Sequence, residues 1–215
     1  MQPLVTCILP VRGRPEQTIA VAEKLQATAG DVPAEWIAVG GAEDAKTVRA
    51  LRELGWQHWI GEEPRLTYWQ ALSKATKHST APVLCCLAND LDPAPGWLTN
   101  GLAAYAARFG TEGGLMGFAG DGHGPHHSCH FLIGRTFLAE LGGWPVHYDH
   151  NFGDTELCER AQALGRYGKA TRAVLNHRHA GRGLAPNDTV YAEGRARWAQ
   201  DRATFEARRA QWATP

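Results

Sequence analysis

Two carboxylates stand two positions apart in "CLANDLDPAPGWL" (residues 85–97), Asp90 and Asp92, directly after an apolar run. A chain turning at the end of a strand can bring both toward one side. Such a pair suits a hard divalent cation, Mg2+ or Mn2+, which takes oxygen ligands and commonly retains water or phosphate oxygens. The plain alternative is a solvated Asp-Pro turn, for which both residue types are ordinary. A second group with ligating chemistry is "DGHGPHHSCH", which carries Asp121, His123, His126, His127, Cys129 and His130. Imidazole and thiolate are good Zn2+ ligands, but the spacing matches none of the usual zinc patterns and a glycine-rich loop carries exposed histidines without metal, so zinc ranks below a plain loop. His177 and His179 end the segment "AVLNHRH", where on an extended chain they share a side. A strand-end hydrogen bond is the ordinary role for such imidazoles.

These residues are positioned by alternating strands and helices. "LVTCILP" (residues 4–10) reads as a buried strand ended by Pro10, and "PEQTIAVAEKLQATA" sets Ile19, Ala22, Leu25 and Gln26 at helical spacing behind a proline suited to a first turn. "AEWIAVGG" is a second strand closing on Gly40 and Gly41; "AEDAKTVRALRELG" follows as a helix with Val48, Leu51 and Leu54 on one face and Gly55 as C-cap. "WQHWI", "PRLTYWQALSKATKHS" and "APVLCCLAND" continue as strand, amphipathic helix and strand. Strands separated by helical stretches of about ten to fifteen residues imply an α/β fold with a mostly parallel sheet covered on both faces. Further on, "GWLTNGLAAYAARFG" predicts a helix, "GGLMGFAG" and "CHFLIGR" strands on either side of the histidine loop, and "TFLAELGGW" a short helix. "DTELCERAQALG" is a helix opening at Asp154, and "YGKATRAVLNH" is a late strand. A last helix spaces Tyr191, Trp198, Phe205 and Trp212 seven apart, as a packing row.

In open parallel sheets ligands bind beyond the carboxyl ends of the strands. The first, second and fourth strands end in "PVRGR", "VGGAED" and "ANDLD", so polar and glycine-rich pieces gather at one edge, where a nucleotide could lie. Neither the dinucleotide fingerprint nor the P-loop pattern is present.

With 215 residues, 44% of them hydrophobic, the chain can bury one substantial core, and a single domain over 1–215 is expected. Lysine plus arginine equals aspartate plus glutamate at 22 each, which argues against a strongly basic nucleic-acid binder and against an acidic tail. No stretch approaches the roughly 18 uninterrupted apolar residues of a membrane span, and five scattered cysteines without a framework favour reduced thiols; a cytoplasmic protein is expected.

The ordered set of segments resembles the nucleotide-sugar-dependent glycosyltransferases of the GT-A fold, particularly the large family 2 group. "VTCILPVRGRP" looks like that family's opening strand and donor loop, and "WIAVGGAED" like its second strand. "CLANDLDPAPGWL" looks like its Asp-X-Asp region, with the proline loop and Gly-Trp-Leu helix start behind it. "FLIGRTFLAELGGW", "FGDTELCERAQALGR" and "AVLNHRH" resemble its acceptor-side strand and helix, the helix of the catalytic acid residue, and the terminal histidine segment. Most of residues 4 to 179 is covered, in order. The resemblance implies a donor-binding half (1–99), an acceptor and catalytic half (100–188) and a C-terminal helix (189–215).

It further implies that Asp90 and Asp92 bind Mn2+ or Mg2+ on the donor diphosphate, Asp92 being the firmer ligand and Asp90 either sharing that role, contacting the donor ribose or holding the loop. His177, with His179 as the alternative, supplies a third contact. Asp154 becomes the general base for an acceptor hydroxyl, against the bland reading of a helix N-terminal carboxylate; Glu156 is the weaker candidate. Pro10 and Val11 belong to the donor loop. The family often places Asp-Asp at the second strand's end, where this chain has Gly40 and Gly41, so Arg12, Arg14, Asp44 and Arg65 are candidate substitutes at the nucleotide. Trp144, Tyr148 and Asp149 are candidate acceptor contacts, and the histidine-rich loop would face the cleft. The expected activity is metal-dependent, inverting transfer of a sugar from a nucleoside-diphosphate sugar to a hydroxyl acceptor. The alternatives are glycosylation of a DNA base or its hydroxymethyl group, suggested by the arginines near the C-terminus, and a non-catalytic nucleotide-sugar or carbohydrate-binding module.

Overall fold

The computed structural model describes residues 2–212. Strands β1 (Val5–Pro10), β2 (Ala34–Gly40), β3 (Gln57–Ile60) and β4 (Val83–Cys86) pair in parallel, with β1 central between β2 and β4. Helices α1 (Pro15–Thr28), α2 (Ala45–Ala50) and α3 (Tyr68–Lys77) connect them. After a very short β5 (Leu91–Pro93) come α4 (Trp97–Phe109), β6 (Leu115–Ala119), β7 (Phe131–Gly134), α5 (Arg135–Glu140), α6 (Gly153–Ala163), β8 (Tyr167–His177) and α7 (Thr189–Arg209). The sheet order is β3-β2-β1-β4-β7-β6-β8-β5. Four neighbouring pairs are parallel; β7 runs antiparallel to β4 and β6, and β5 antiparallel to β8. The sheet is mixed and mostly parallel, as the α/β reading expects.

β1 is buried along its whole length because helices cover both sheet faces. Its side chains alternate between two cores: Val5, Cys7 and Leu9 pack with α1, α2 and α4, whereas Ile8 packs with α3, α5, α6 and Phe205 of α7. α1 starts where Pro15 presets the first helical turn, and α3 where Thr67 and Gln70 form a reciprocal capping box. The expected helix after β2 is broken into a 3-10 turn at Ala42–Asp44, the short α2 and a second 3-10 turn at Leu51–Leu54. All five cysteines are free, and no helix among the described residues is long and apolar enough to cross a membrane.

β5 is the element that the turn-like "LDP" hides. It pairs with the end of β8, Leu91 opposite His177 and Asp92 opposite Asn176. β8 reaches that position by a register break against β6: Phe118 pairs with Ala170, but Ala119 pairs with Val174. The extra residues bend β8 across the sheet end, so that it is parallel to β6 at its start and pairs with β5 at its finish.

Candidate active site and metal centre

A cavity of about 380 Å3 opens at the carboxyl ends of β1 and β4, where the sheet topology puts it. Pro10, Val11, Arg12 and Arg14 line it from the loop after β1; Asn89 and Asp90 come from the loop after β4; Asp154 comes from the first turn of α6; and His130, His177 and His179 flank it. α7 lays Tyr191 and Trp198 along the opening.

At its floor Asp90, His130 and His177 present ligating atoms within 4.8 Å of one another. Three connections fix this geometry. The antiparallel register of β7 on β4 carries residue 130 beside the chain leaving β4. The β5–β8 pairing sets His177 opposite Leu91, and Arg178 N donates to Asp90 O at 2.8 Å. Asn89 ties the same loop to α1, its amide donating to Thr18 Oγ1 at 2.9 Å while Gln17 donates to its carbonyl at 2.7 Å.

Asp90 is nearly buried. Burial favours its neutral form, but His177 Nε2 at 3.2 Å, the neighbouring imidazoles and the Tyr191 hydroxyl, which donates to Oδ2 at 2.9 Å, outweigh it and hold the carboxyl well below its ordinary range. Burial drives His130 the other way, down to about 3, so its imidazole is neutral near pH 7. Neutral imidazole and ionised carboxylate are the forms a metal needs. Oδ1 of Asp90 and both ring nitrogens of His130 are buried without a hydrogen-bond partner. Orphaned polar atoms of that kind are costly, and a bound ion would satisfy one on each residue. The donor set therefore fits a divalent metal.

Arg14 guards this floor. It has left-handed backbone angles, φ 52° and ψ 54°, uncommon for a residue with a side chain. The conformation turns its guanidinium onto the Tyr191 ring, 4.0 Å from the centroid, and into a two-point ion pair with Asp188 at 2.6 and 2.8 Å. Nη1 lies 3.9 Å from Asp90 Oδ2.

Asp154 stands one residue into α6, behind Phe152 with φ 67°. Its Oδ1 accepts from Thr155 N at 2.8 Å, and Oδ2 lies 3.5 Å from His127 Nε2. Gly153 beside it touches Trp69 so closely that an added Cβ would stand 2.3 Å from the indole ring. Glu156 lies on the far side of the helix, almost fully buried, and accepts from Tyr148 at 2.8 Å and from Arg208 at 3.0 Å twice. These partners overcome burial and hold its carboxyl at about 2.

Several expected contacts lie elsewhere. Asp92 does not join the metal cluster: in β5 Leu91 and Pro93 turn inward, so the alternate residue faces outward, beside Lys24 and 3.5 Å from Arg178. Trp144 packs on Trp69 and Phe131 with its Nε1 donating to Thr76 Oγ1, Tyr148 is buried on Glu156, and Asp149 pairs with Arg197; none of the three lines the cavity. The segment after α5 carries them instead against α3, α6 and α7 respectively. Asp44 accepts from Gly13 N at 2.7 Å, bracing the loop after β1 from below, and burial raises its pKa. Arg65 sits at the outer rim with Glu43 and Glu193. Gly41 has no room for a side chain, since a Cβ would lie 2.4 Å from the Pro64 carbonyl; a carboxylate there would displace the segment carrying Arg65. His130, grouped by its sequence neighbours with the histidine-loop ligands, and Tyr191, placed in a packing row, are part of the site. On α7, Arg202, Arg208 and Arg209 are paired with Glu206, Glu156 and Glu159, which neutralises much of the basic run.

No family model matches the sequence, and no curated protein matches it. Among solved structures the chain is similar to the mannosyltransferase PcManGT from Pyrobaculum calidifontis in complex with GDP-Man and Mn2+, at 19% identity and TM-score 0.62 over 81% of this chain and 56% of that one. It is similar to S. aureus TarS 1-349, at 14% identity and TM-score 0.61 over 81% and 59%. It is also similar to glucosyl-3-phosphoglycerate synthase from Mycobacterium tuberculosis in complex with Mn2+, UDP and glucosyl-3-phosphoglycerate, at 16% identity and TM-score 0.65 over 99% and 81%. The chain spans little more than half the length of the first two. The fold is the GT-A-like fold of nucleotide-diphospho-sugar transferases.

Proposed function

We propose that the protein transfers a sugar from a nucleoside-diphosphate sugar to a hydroxyl acceptor, with a divalent metal held by Asp90, His130 and His177 and with Asp154 as general base. The observation that carries this reading is the convergence of those three ligands, two of them with orphaned buried atoms, in the same cavity as Asp154. The bound ion would offset the charge growing on the leaving diphosphate. Arg12, whose Nε is buried without a partner, adds a donor for the phosphate oxygens. Asp154 takes the proton of the acceptor hydroxyl as it attacks the anomeric carbon, the single displacement that inverts configuration. Trp198, 46% exposed and packed on Phe152 at 5.5 Å, offers the aromatic surface for an acceptor ring in place of Trp144.

Two imidazoles with one carboxylate favour Mn2+ over Mg2+, which prefers oxygen ligands. The test is a panel of nucleotide sugars with each ion, following release of the nucleoside diphosphate. Release supported by Mn2+ more than by Mg2+, and lost in Asp154→Asn, fits the proposal. Mn2+-dependent transfer undiminished in Asp154→Asn would remove Asp154 from the base role.

A further inference from the structure

The loop between β6 and β7 is held by its backbone. Asp121, fully buried, accepts from His123 N at 3.0 Å, Ser128 Oγ at 2.7 Å and Cys129 N at 3.1 Å. Lys169 donates to the same carboxylate at 3.0 Å and to the carbonyls of His123, Gly124 and His127 at 3.1, 3.0 and 2.7 Å. A glycine-rich segment is thus given one shape, and three side chains that take no part in shaping it are brought together. His123, His127 and Cys129 have ligating atoms within 4.8 Å of one another, and the two imidazole rings are 4.3 Å apart. His127 Nδ1 is buried without a partner, while its Nε2 faces Thr155 at 3.3 Å and Asp154 at 3.5 Å.

We propose that His123, His127 and Cys129 form a second metal site beside Asp154, selective for Zn2+ or another thiolate-seeking cation. Two imidazoles and a thiolate make a tetrahedral three-ligand set, and sulfur selects against Mn2+ and Mg2+. Cys129 belongs to this group and the next residue, His130, to the group with Asp90, so one stretch of chain just before β7 serves two sites of different preference. The Cys129 thiol proton leaves to solvent as the metal binds. Resting on the proposed role of Asp154, the consequence for transfer is inhibition: a dication beside that carboxylate takes the electron pair it would use on the acceptor proton.

Co2+ added to the metal-free protein tests the site without reference to activity. A sulfur-to-cobalt charge-transfer absorption in the near ultraviolet is expected, displaced by Zn2+, abolished in Cys129→Ser and retained in Asp90→Asn. The four other cysteines are fully buried and the Asp90 group has no sulfur, so neither can produce it. Absence of the band at saturating Co2+, or its persistence in Cys129→Ser, would overturn the proposal. If a donor is turned over with Mn2+, added Zn2+ should lower the rate at least tenfold in wild type and much less in Cys129→Ser; equal inhibition of both would overturn the inhibitory role while leaving the cobalt result to decide the site.

Discussion

His130 gives the sharpest measurement, because its replacement should act in opposite directions with and without metal. In the free protein its two nitrogens are buried with no partner, and an unmade buried hydrogen bond costs about 1–3 kcal/mol. His130→Leu removes those atoms while keeping most of the side-chain volume. A shift of about 2–4 °C per kcal/mol applies to a chain of this size, so the metal-free variant should melt roughly 2–12 °C above wild type. Wild type in turn should gain about 2.7 kcal/mol at Mn2+ one hundred times its dissociation constant, a rise of roughly 5–11 °C. The variant should lose most of that rise. Thermal melts of both proteins, after chelation and across a Mn2+ titration, read all four corners of this cycle. A metal-free variant that melts lower than wild type, or one that keeps the full Mn2+ shift, would refute the assignment of His130 as a ligand.

Other expectations follow from the same geometry. Asp90→Asn should abolish the Mn2+ shift in melting, whereas Asp92→Asn, on an outward-facing position, should keep it and change stability by less than about 0.5 kcal/mol. Gly153→Ala should drive a methyl into the Trp69 ring, cost about 1–3 kcal/mol in denaturant melts and lower transfer, since it shifts the helix start carrying Asp154. Asp154→Asn should fold as wild type by circular dichroism and lose on the order of 100- to 10,000-fold in turnover. Glu156 is lowered from the usual 4.5 to about 2, so its folded form holds fewer protons than the unfolded chain between those values. Its contribution, about 3 kcal/mol, is therefore full above pH 4.5 and drains away as pH falls toward 2; Glu156→Gln should flatten that part of the stability profile.

The first half of the chain was readable because its strands are buried on both faces and punctuated by proline and glycine: Val5–Pro10 and Ala34–Gly40 lie where the apolar runs stand. β8 was readable for the same reason, ending at His177. β5 was not, since three residues containing Asp and Pro carry no strand propensity and pair only because β8 bends over to meet them. That hidden strand is why Asp92 looked the better ligand: without it the turn seemed free to aim both carboxylates alike. His130 was hidden by its neighbours, counted with a histidine loop although the next residue begins β7. Tyr191 fitted a heptad row whose members have different fates: Phe205 enters the core and Trp198 stays 46% exposed, while Tyr191 alone reaches Asp90.

α7 brings Tyr191 to Asp90 and Asp188 to Arg14, contacts 101 and 174 residues apart along the chain, and its Glu193 bridges Arg12 and Arg65. Such distant pairings require the long loops between them to close, an entropic cost that local contacts do not carry. During refolding, then, the sheet can be in place while the floor of the cavity still lacks its roof. Docking of Tyr191 onto Asp90 should trail recovery of secondary structure, so the near-ultraviolet circular dichroism of that tyrosine becomes a stopwatch for the final docking step and a means of separating finished molecules from nearly finished ones.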